Sequence, residues 1–308
     1  MDIPARFMEK IVRTFGDKGR EWLDRLPGIF ESCVQRWELT ECQPLEDLSV
    51  NYICFAKSPN HGQVVLKIGV PHPELFTESI VLRLFGGRHV CACHDSDLGL
   101  GALLLERIIP GDDLASIPDQ SERIRIAADM IRDLPIPLAE GVVGLPTYST
   151  WISRAFSRAR REKIVGQRML TLIDAADSLF REVERSDCPQ KVLHGDLHHW
   201  NVLMDSSGRW KAIDPKGVIG AAHLEAGRFI ITQVGEIEEA DCYASLDETT
   251  AVIGERLGQS RRAIAICGFV ECVLATCWSF EDRDEPAHLS ESIRRCQMLY
   301  DYVRGTAH

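Results

Sequence analysis

The stretches Val192-Leu-His-Gly-Asp-Leu-His-His-Trp-Asn-Val-Leu203 and Ala212-Ile-Asp-Pro-Lys-Gly217 set three oxygen-bearing side chains in a fixed order. Asp196 follows a short apolar run, Asn201 comes five residues later, and Asp214 closes a second apolar run. Phosphoryl transfer to a hydroxyl asks little of a protein: a carboxylate to accept the hydroxyl proton, and oxygen ligands holding magnesium against the phosphates. An H-x-D-x-x-x-x-N loop supplies the base and one ligand, and a carboxylate after the next strand supplies the other. The spacing therefore assigns Asp196 as base, with Asn201 and Asp214 as the hard oxygen donors that magnesium prefers. The plain alternative for Asp196 is a turn aspartate bonded to local backbone. His194, His198 and His199 share the loop, but an H-x3-H-H run lacks the ligand pattern of a zinc site, and they read as loop-supporting polar groups. No G-x-S-x-G elbow is present to support a serine hydrolase.

Such a loop needs a scaffold and a group that holds phosphate. Residues 50–56 and 63–68 are β-rich runs around the turn signal Ser58-Pro-Asn-His-Gly62, which predicts a hairpin with Lys67 near the end of its second strand. A lysine there reads either as an exposed edge position or as the strand lysine that reaches nucleotide phosphates. Glu78, on a helix predicted over 74–85, is the candidate partner that favours the second reading. Upstream, apolar residues at helical spacing over 5–37 predict short helices, broken at Gly16, Gly19 and Pro27-Gly28. Residues 90–94 and 101–105 predict two further strands, and Pro110-Gly111 predicts a hinge. Beyond it, helices are predicted near 112–117, 121–134, 150–163, 167–186, 224–235, 245–257, 260–280 and 289–304. Cys91, Cys93 and His94 lack the spacing of a structural zinc site and read as strand packing. The pattern is α+β: a β-rich lobe over 1–107 that binds nucleotide, then a helical lobe over 108–308 carrying the loop and the substrate pocket.

Composition narrows the partners. With 308 residues, 45% hydrophobic and 26% charged, the chain has the make-up of a globular protein large enough for two cores. A net charge of −11 argues against nucleic acid or an anionic membrane and suits a cationic ligand. Eleven cysteines scattered without framework spacing suit a reducing, cytoplasmic setting. The apolar run 263–280 is interrupted by Glu271 and diluted by Cys, Gly, Thr and Ser, and reads as a core helix rather than a membrane span.

The Leu193–Leu203 loop and the segment Ile213-Asp-Pro-Lys-Gly-Val-Ile-Gly220 resemble the aminoglycoside/hydroxyurea antibiotic resistance kinase family, in its streptomycin 6-kinase-like branch. The likeness extends to Arg36-Trp-Glu-Leu39, Val64-Val-Leu-Lys67, Leu82-Arg-Leu-Phe-Gly-Gly87, Leu103-Leu-Leu-Glu-Arg107 and Trp278-Ser-Phe-Glu-Asp282. The resemblance implies a protein-kinase-like bilobal fold using ATP, with GTP not excluded, and two Mg2+ ions. Lys67 and Glu78 would then form the phosphate-positioning ion pair. Leu105 would be the gatekeeper, and the backbone of Glu106 and Ile108 would meet the nucleobase. The glycine-rich loop of protein kinases has no counterpart in Pro44–Val50, where Ser49 and nearby amides are left to contact phosphate.

A polycationic aminoglycoside implies an acidic acceptor pocket drawn from the C-terminal lobe. Glu225, Trp278, Glu281 and Asp282 are its candidates, and Glu236–Asp241 is a second acidic cluster that reads equally well as a solvated surface. The expected activity is phosphorylation of a streptomycin-type aminoglycoside. A kinase of a sugar, amino sugar or other metabolite on the same fold is the alternative, since fold does not fix the acceptor. A catalytically silent nucleotide-binding module is the alternative of another class. Retention of Asp196, Asn201 and Asp214 together speaks against it.

Overall fold

The computed structural model describes residues 3–162, 165–184, 188–235, 237, 241–281 and 285–306. The chain divides into two compact units, residues 1–111 with 204–211, and residues 112–203 with 212–308.

The first unit is a five-stranded antiparallel sheet backed by helices. Its strands are β1 (Thr40–Pro44), β2 (Asn51–Ser58), β3 (Gly62–Gly69), β4 (Cys93–Asp97) and β5 (Ala102–Glu106), in the order β1-β2-β3-β5-β4. Val64, Leu66 and Ile68 of β3 alternate onto the face covered by α1 (Ala5–Phe15) and α2 (Asp17–Arg36), where they join Phe7, Leu26 and Tyr52 in one core. The period of two turns Lys67 to the opposite face. It sits in register with Ile53 on β2 and Leu103 on β5. α3 (Pro73–Phe85) begins with proline in its first turn, ends on Gly86 in the left-handed region, and buries Leu75, Val81, Leu82 and Phe85.

Three local expectations are corrected in this unit and at its exit. α2 runs unbroken through Gly19 and through Pro27-Gly28, because Trp22, Leu26, Ile29 and Cys33 form one buried stripe along it. Burying four such side chains, at roughly 1.5–3 kcal/mol each for the large ones, outweighs the roughly 3 kcal/mol cost of an internal proline. β4 covers 93–97 rather than 90–94: the polar run pairs with β5 through an irregular register, and Asp95 accepts a hydrogen bond from Trp37 Nε1 at 2.8 Å. Residues 112–117 form no α-helix. β6 (Pro110–Asp113) leads into a 3-10 turn, Leu114–Ser116, whose Ser116 N–H donates to Asp113 Oδ1 at 2.9 Å. β1, which was not anticipated, is polar and mostly exposed, so it carries no alternation to read.

The second unit is mainly helical: α4 (Gln120–Asp133), α5 (Tyr148–Glu162), α6 (Gln167–Glu184), α7 (Ala226–Gly235), α8 (Cys242–Leu257), α9 (Arg261–Glu281) and α10 (Pro286–Gly305). α9 is long and apolar enough to cross a membrane, but 72% of its apolar window is buried within the protein, which makes it the central core helix. A small antiparallel sheet, β11-β8-β7, is formed by β7 (Ile136–Pro137), β8 (Gln190–Leu193) and β11 (Val218–Ala221). The segment 204–211, which groups with the first unit, runs from the end of β9 (Val202–Asp205) into β10 (Trp210–Ala212).

Candidate active site

In the first unit, Lys67 Nζ donates to Glu78 Oε1 at 2.7 Å, and the two side chains are only 4% and 9% exposed. Removing both charges from water is costly, and only close pairing repays it. The bond ties the rigid centre of the sheet to α3. Leu105 is buried on β5. The N–H of Glu106 donates to the Ala92 carbonyl at 2.8 Å. Its carboxylate accepts from the Ala92 N–H at 2.9 Å and from Lys211 Nζ at 2.6 and 2.7 Å. Ile108 is buried and Ser49 is exposed, its hydroxyl accepting from Lys10 Nζ at 3.0 Å.

In the second unit, β8 delivers the chain into a loop held from several directions. The N–H groups of His194 and Gly195 donate to the two oxygens of Glu225 at 2.7 and 2.9 Å. The Asp196 N–H donates to His194 Nδ1 at 3.2 Å, so the opposite nitrogen carries the proton and Nε2 donates to the Ile213 carbonyl at 2.8 Å. Burial keeps that imidazole neutral by lowering its pKa. Gly195 has a φ of 78°, and a Cβ there would lie 2.9 Å from Val218 and 3.0 Å from Trp151, so no other residue fits without displacement.

Asp196 is flanked by two cations. Arg228 Nε stands 2.7 Å from Oδ1, and Lys216 Nζ stands 4.0 Å from Oδ2. Burial alone would raise the pKa of this carboxyl; Lys216 and then Arg228 reverse that and hold it below the usual aspartate value. The Lys216 ammonium also lies 4.9 Å over the ring of Trp278, which packs edge-on against Trp151 at 5.7 Å.

Asn201 spends its NH2 on the Asp196 carbonyl at 3.0 Å, so its oxygen is the atom that would meet a cation. The Asn201 carbonyl accepts from the Ile213 N–H at 2.9 Å, which fixes Asp214 close behind in sequence. Asp214 adopts a φ of 56°, a left-handed conformation that aspartate tolerates at some cost. No cluster of three or more His, Cys, Asp or Glu side chains suited to a metal occurs among the described residues. One amide oxygen and one carboxylate fit magnesium, which completes its shell with phosphate and water rather than with a protein cage.

The acidic candidates divide. Glu225, expected as a substrate contact, is 1% exposed with both oxygens bonded to loop amides, which gives it a positioning role beneath Asp196. Its pKa rises to about 7, because burial and then the nearby Glu271 and Asp196 outweigh those two amides. Glu281 pairs with Arg158 on α5 at 2.8 Å. Asp282 lies outside the described residues, as do Glu236, Glu238 and Glu239 of the other cluster. Sequence reasoning gave no role to Arg228 or Lys216. Arg228 stands three residues after Glu225, and Lys216 two after Asp214, so both lie close in sequence to residues already singled out.

Residues 36–282 match the model of the aminoglycoside/hydroxyurea antibiotic resistance kinase family. Streptomycin 6-kinase from Streptomyces griseus is 26% identical, over 91% of each chain. Hydroxyurea phosphotransferase from Kitasatospora aureofaciens is 30% identical over 73% of this chain and 66% of its own length. Among solved structures, a choline/ethanolamine kinase family protein from Mesorhizobium loti superposes with a TM-score of 0.67 at 12% identity, covering 88% of this chain and 94% of that one.

Proposed function

The chain belongs to the aminoglycoside/hydroxyurea antibiotic resistance kinase family and is a phosphotransferase with the protein-kinase-like α+β fold; on that premise we propose that it transfers the γ-phosphoryl group of Mg·ATP to a hydroxyl of a streptomycin-type aminoglycoside. The observation that carries the reading is Asp196, held anionic at the end of β8 on a loop whose other end presents Asn201.

Asp196 accepts the proton of the acceptor hydroxyl at Oδ2, since Arg228 occupies the Oδ1 side. As the oxygen–phosphorus bond forms, the bond from the γ-phosphorus to the leaving oxygen breaks and the electron pair departs with the diphosphate. A carboxylate of lowered pKa is a weak base toward an alcohol. It suits a loose transition state, in which the hydroxyl proton leaves late and orientation counts for more than basicity. Asn201 and Asp214 would hold magnesium, whose charge would offset that of the phosphate oxygens. Lys67, oriented by Glu78, contributes a positive charge to the phosphates, with Leu105 and Glu106 of β5 and Ile108 beyond it serving the nucleobase and Ser49 a phosphate.

A second reading, a kinase of a neutral sugar-like metabolite, draws support from the surroundings of Asp196. Two cations flank it, one of them already rests on Trp278, and Glu281 is neutralised by Arg158. The deciding experiment measures ATP consumption with streptomycin, an amino sugar and a neutral sugar, with mass spectrometry of each product. Turnover with streptomycin and a mass gain of one phosphate support the first reading. Turnover confined to the neutral sugar supports the second.

A further inference from the structure

α7 touches the Asp196 loop at more than its beginning. The residue just before the helix, Glu225, holds the amides of His194 and Gly195, and Arg228 in its first turn meets Asp196. The far end of α7 meets the far end of the loop. His199, fully buried, places Nε2 2.7 Å from Gln233 Oε1, and its ring stacks on Phe229 at 4.5 Å and 19°. Phe229 and Gln233 are four residues apart, one above the other on the same helical face.

The chemistry of this contact is specific. A neutral imidazole donates from only one nitrogen, and the amide oxygen of Gln233 selects Nε2 as that donor. Among the described residues His199 Nδ1 and Gln233 Nε2 have no hydrogen-bond partner, so this single bond carries the polar fixation of a side chain otherwise held by ring stacking. His199 is followed by Trp200, which is half exposed, and then Asn201. The segment that must present the Asn201 oxygen to magnesium is therefore fastened to α7 through His199.

We propose that Gln233 is a positioning residue that acts through His199 to fix the Asn201 end of the loop, so that α7 holds the base with one end and the metal-binding amide with the other. The activity arms of the test rest on the proposed kinase reading, and the hydrogen-exchange arm does not.

The test uses the full chain with Gln233→Met, which keeps length and volume and removes the acceptor, and Gln233→Glu, which keeps an acceptor. Amide hydrogen exchange across 198–203 is measured without ligand, together with kcat and the Mg2+ concentration at half-maximal rate. In folded Gln233→Met, exchange in that stretch is expected to rise by about tenfold, the scale of losing one buried hydrogen bond. The Mg2+ requirement rises several-fold while exchange at 190–195 stays unchanged. Gln233→Glu restores both parameters toward the parent. Unchanged exchange at 198–203 in folded Gln233→Met overturns the proposal. So does a rise that Gln233→Glu fails to reverse while remaining folded. If Gln233→Met does not fold, Gln233→Asn, which keeps the amide but falls short of His199, is judged by the same two outcomes. Should Asp196→Ala turn over normally, the kinase reading fails, and the exchange result still decides the role of Gln233.

Discussion

The Lys67–Glu78 pair and the Asp196 loop solve one problem, keeping charge in place inside a protein, by different means. Lys67 stands at the centre of a five-stranded sheet and is bound to a carboxylate on the next helix, eleven residues on. Regular structure positions both partners. Asp196 lies on irregular backbone, and its setting is assembled from Glu225, Arg228, Lys216 and His194. A strand lysine is aimed by the ladder itself, and Glu78 then fixes its ammonium. A loop aspartate needs a partner for each atom that must not move. The first arrangement is strong and local; the second is distributed, and each contribution to it should be smaller.

Four substitutions break or sharpen that contrast. Asp196→Ala removes the group that all the loop contacts serve, and turnover should fall by about 10³-fold or more with ATP affinity retained, as steady-state kinetics and calorimetry would show. Near-normal turnover would remove Asp196 from the chemistry. Next is Glu78→Gln, which breaks the buried Lys67–Glu78 ion pair. Urea unfolding should report a loss of about 3–5 kcal/mol, the range for breaking a buried pair. A loss below 1 kcal/mol would mean that the sheet, rather than the pair, holds Lys67.

Glu225→Gln should be milder, because it turns one of two loop contacts from acceptance into a donor–donor clash. Turnover is expected to fall by about 10²-fold, the scale of a misplaced reacting group. This variant also carries a pH signature. The folded pKa of Glu225, about 7, lies above the ordinary 4.5. Between those values the native state holds a proton that the unfolded chain has lost, so the contribution of this group to stability is full below pH 4.5 and is lost as pH rises through 7. The stability advantage of the parent over Glu225→Gln should therefore shrink across that window in thermal melts. A gap that is constant or widening with pH would contradict the buried setting of Glu225. The smallest effect is expected from Trp278→Ala, which withdraws the ring beneath Lys216. A cation–π contact at a partly exposed site is worth about 0.5–1 kcal/mol, so acceptor KM should move by about two- to fivefold with kcat nearly unchanged.

The same contrast explains how much the sequence disclosed. Lys67 and Glu78 were legible because a turn signal, a two-residue period and a helix start fix where each side chain points. The order of Asp196, Asn201 and Asp214 was legible because their spacing is itself the signal. Most helices of the second unit were legible from their apolar period, α9 included. The partners of Asp196 were not: Arg228 and Lys216 lie 32 and 20 positions further along the chain, and no local pattern links them to it. Glu225 showed the limit most clearly, since an acidic residue after a strand reads alike as a substrate contact or as a buried support. Only its burial and its two amide partners separate the readings. β1 and the unbroken α2 escaped for opposite reasons, the first because a polar edge strand has no apolar alternation, the second because a buried stripe overrode proline.

The grouping of residues 204–211 with the first unit bears on how this protein can be divided. Lys211, which binds both oxygens of Glu106, reaches the first unit from a point in the chain between Asn201 and Asp214. A fragment ending at Gly111 would leave the Glu106 carboxylate without that ammonium. A fragment starting at Asp112 would carry eight residues belonging to the other unit. Cutting the gene at the boundary therefore yields no pair of self-sufficient pieces. An attempt to recombine units from two relatives should move 1–111 and 204–211 together, against 112–203 with 212–308.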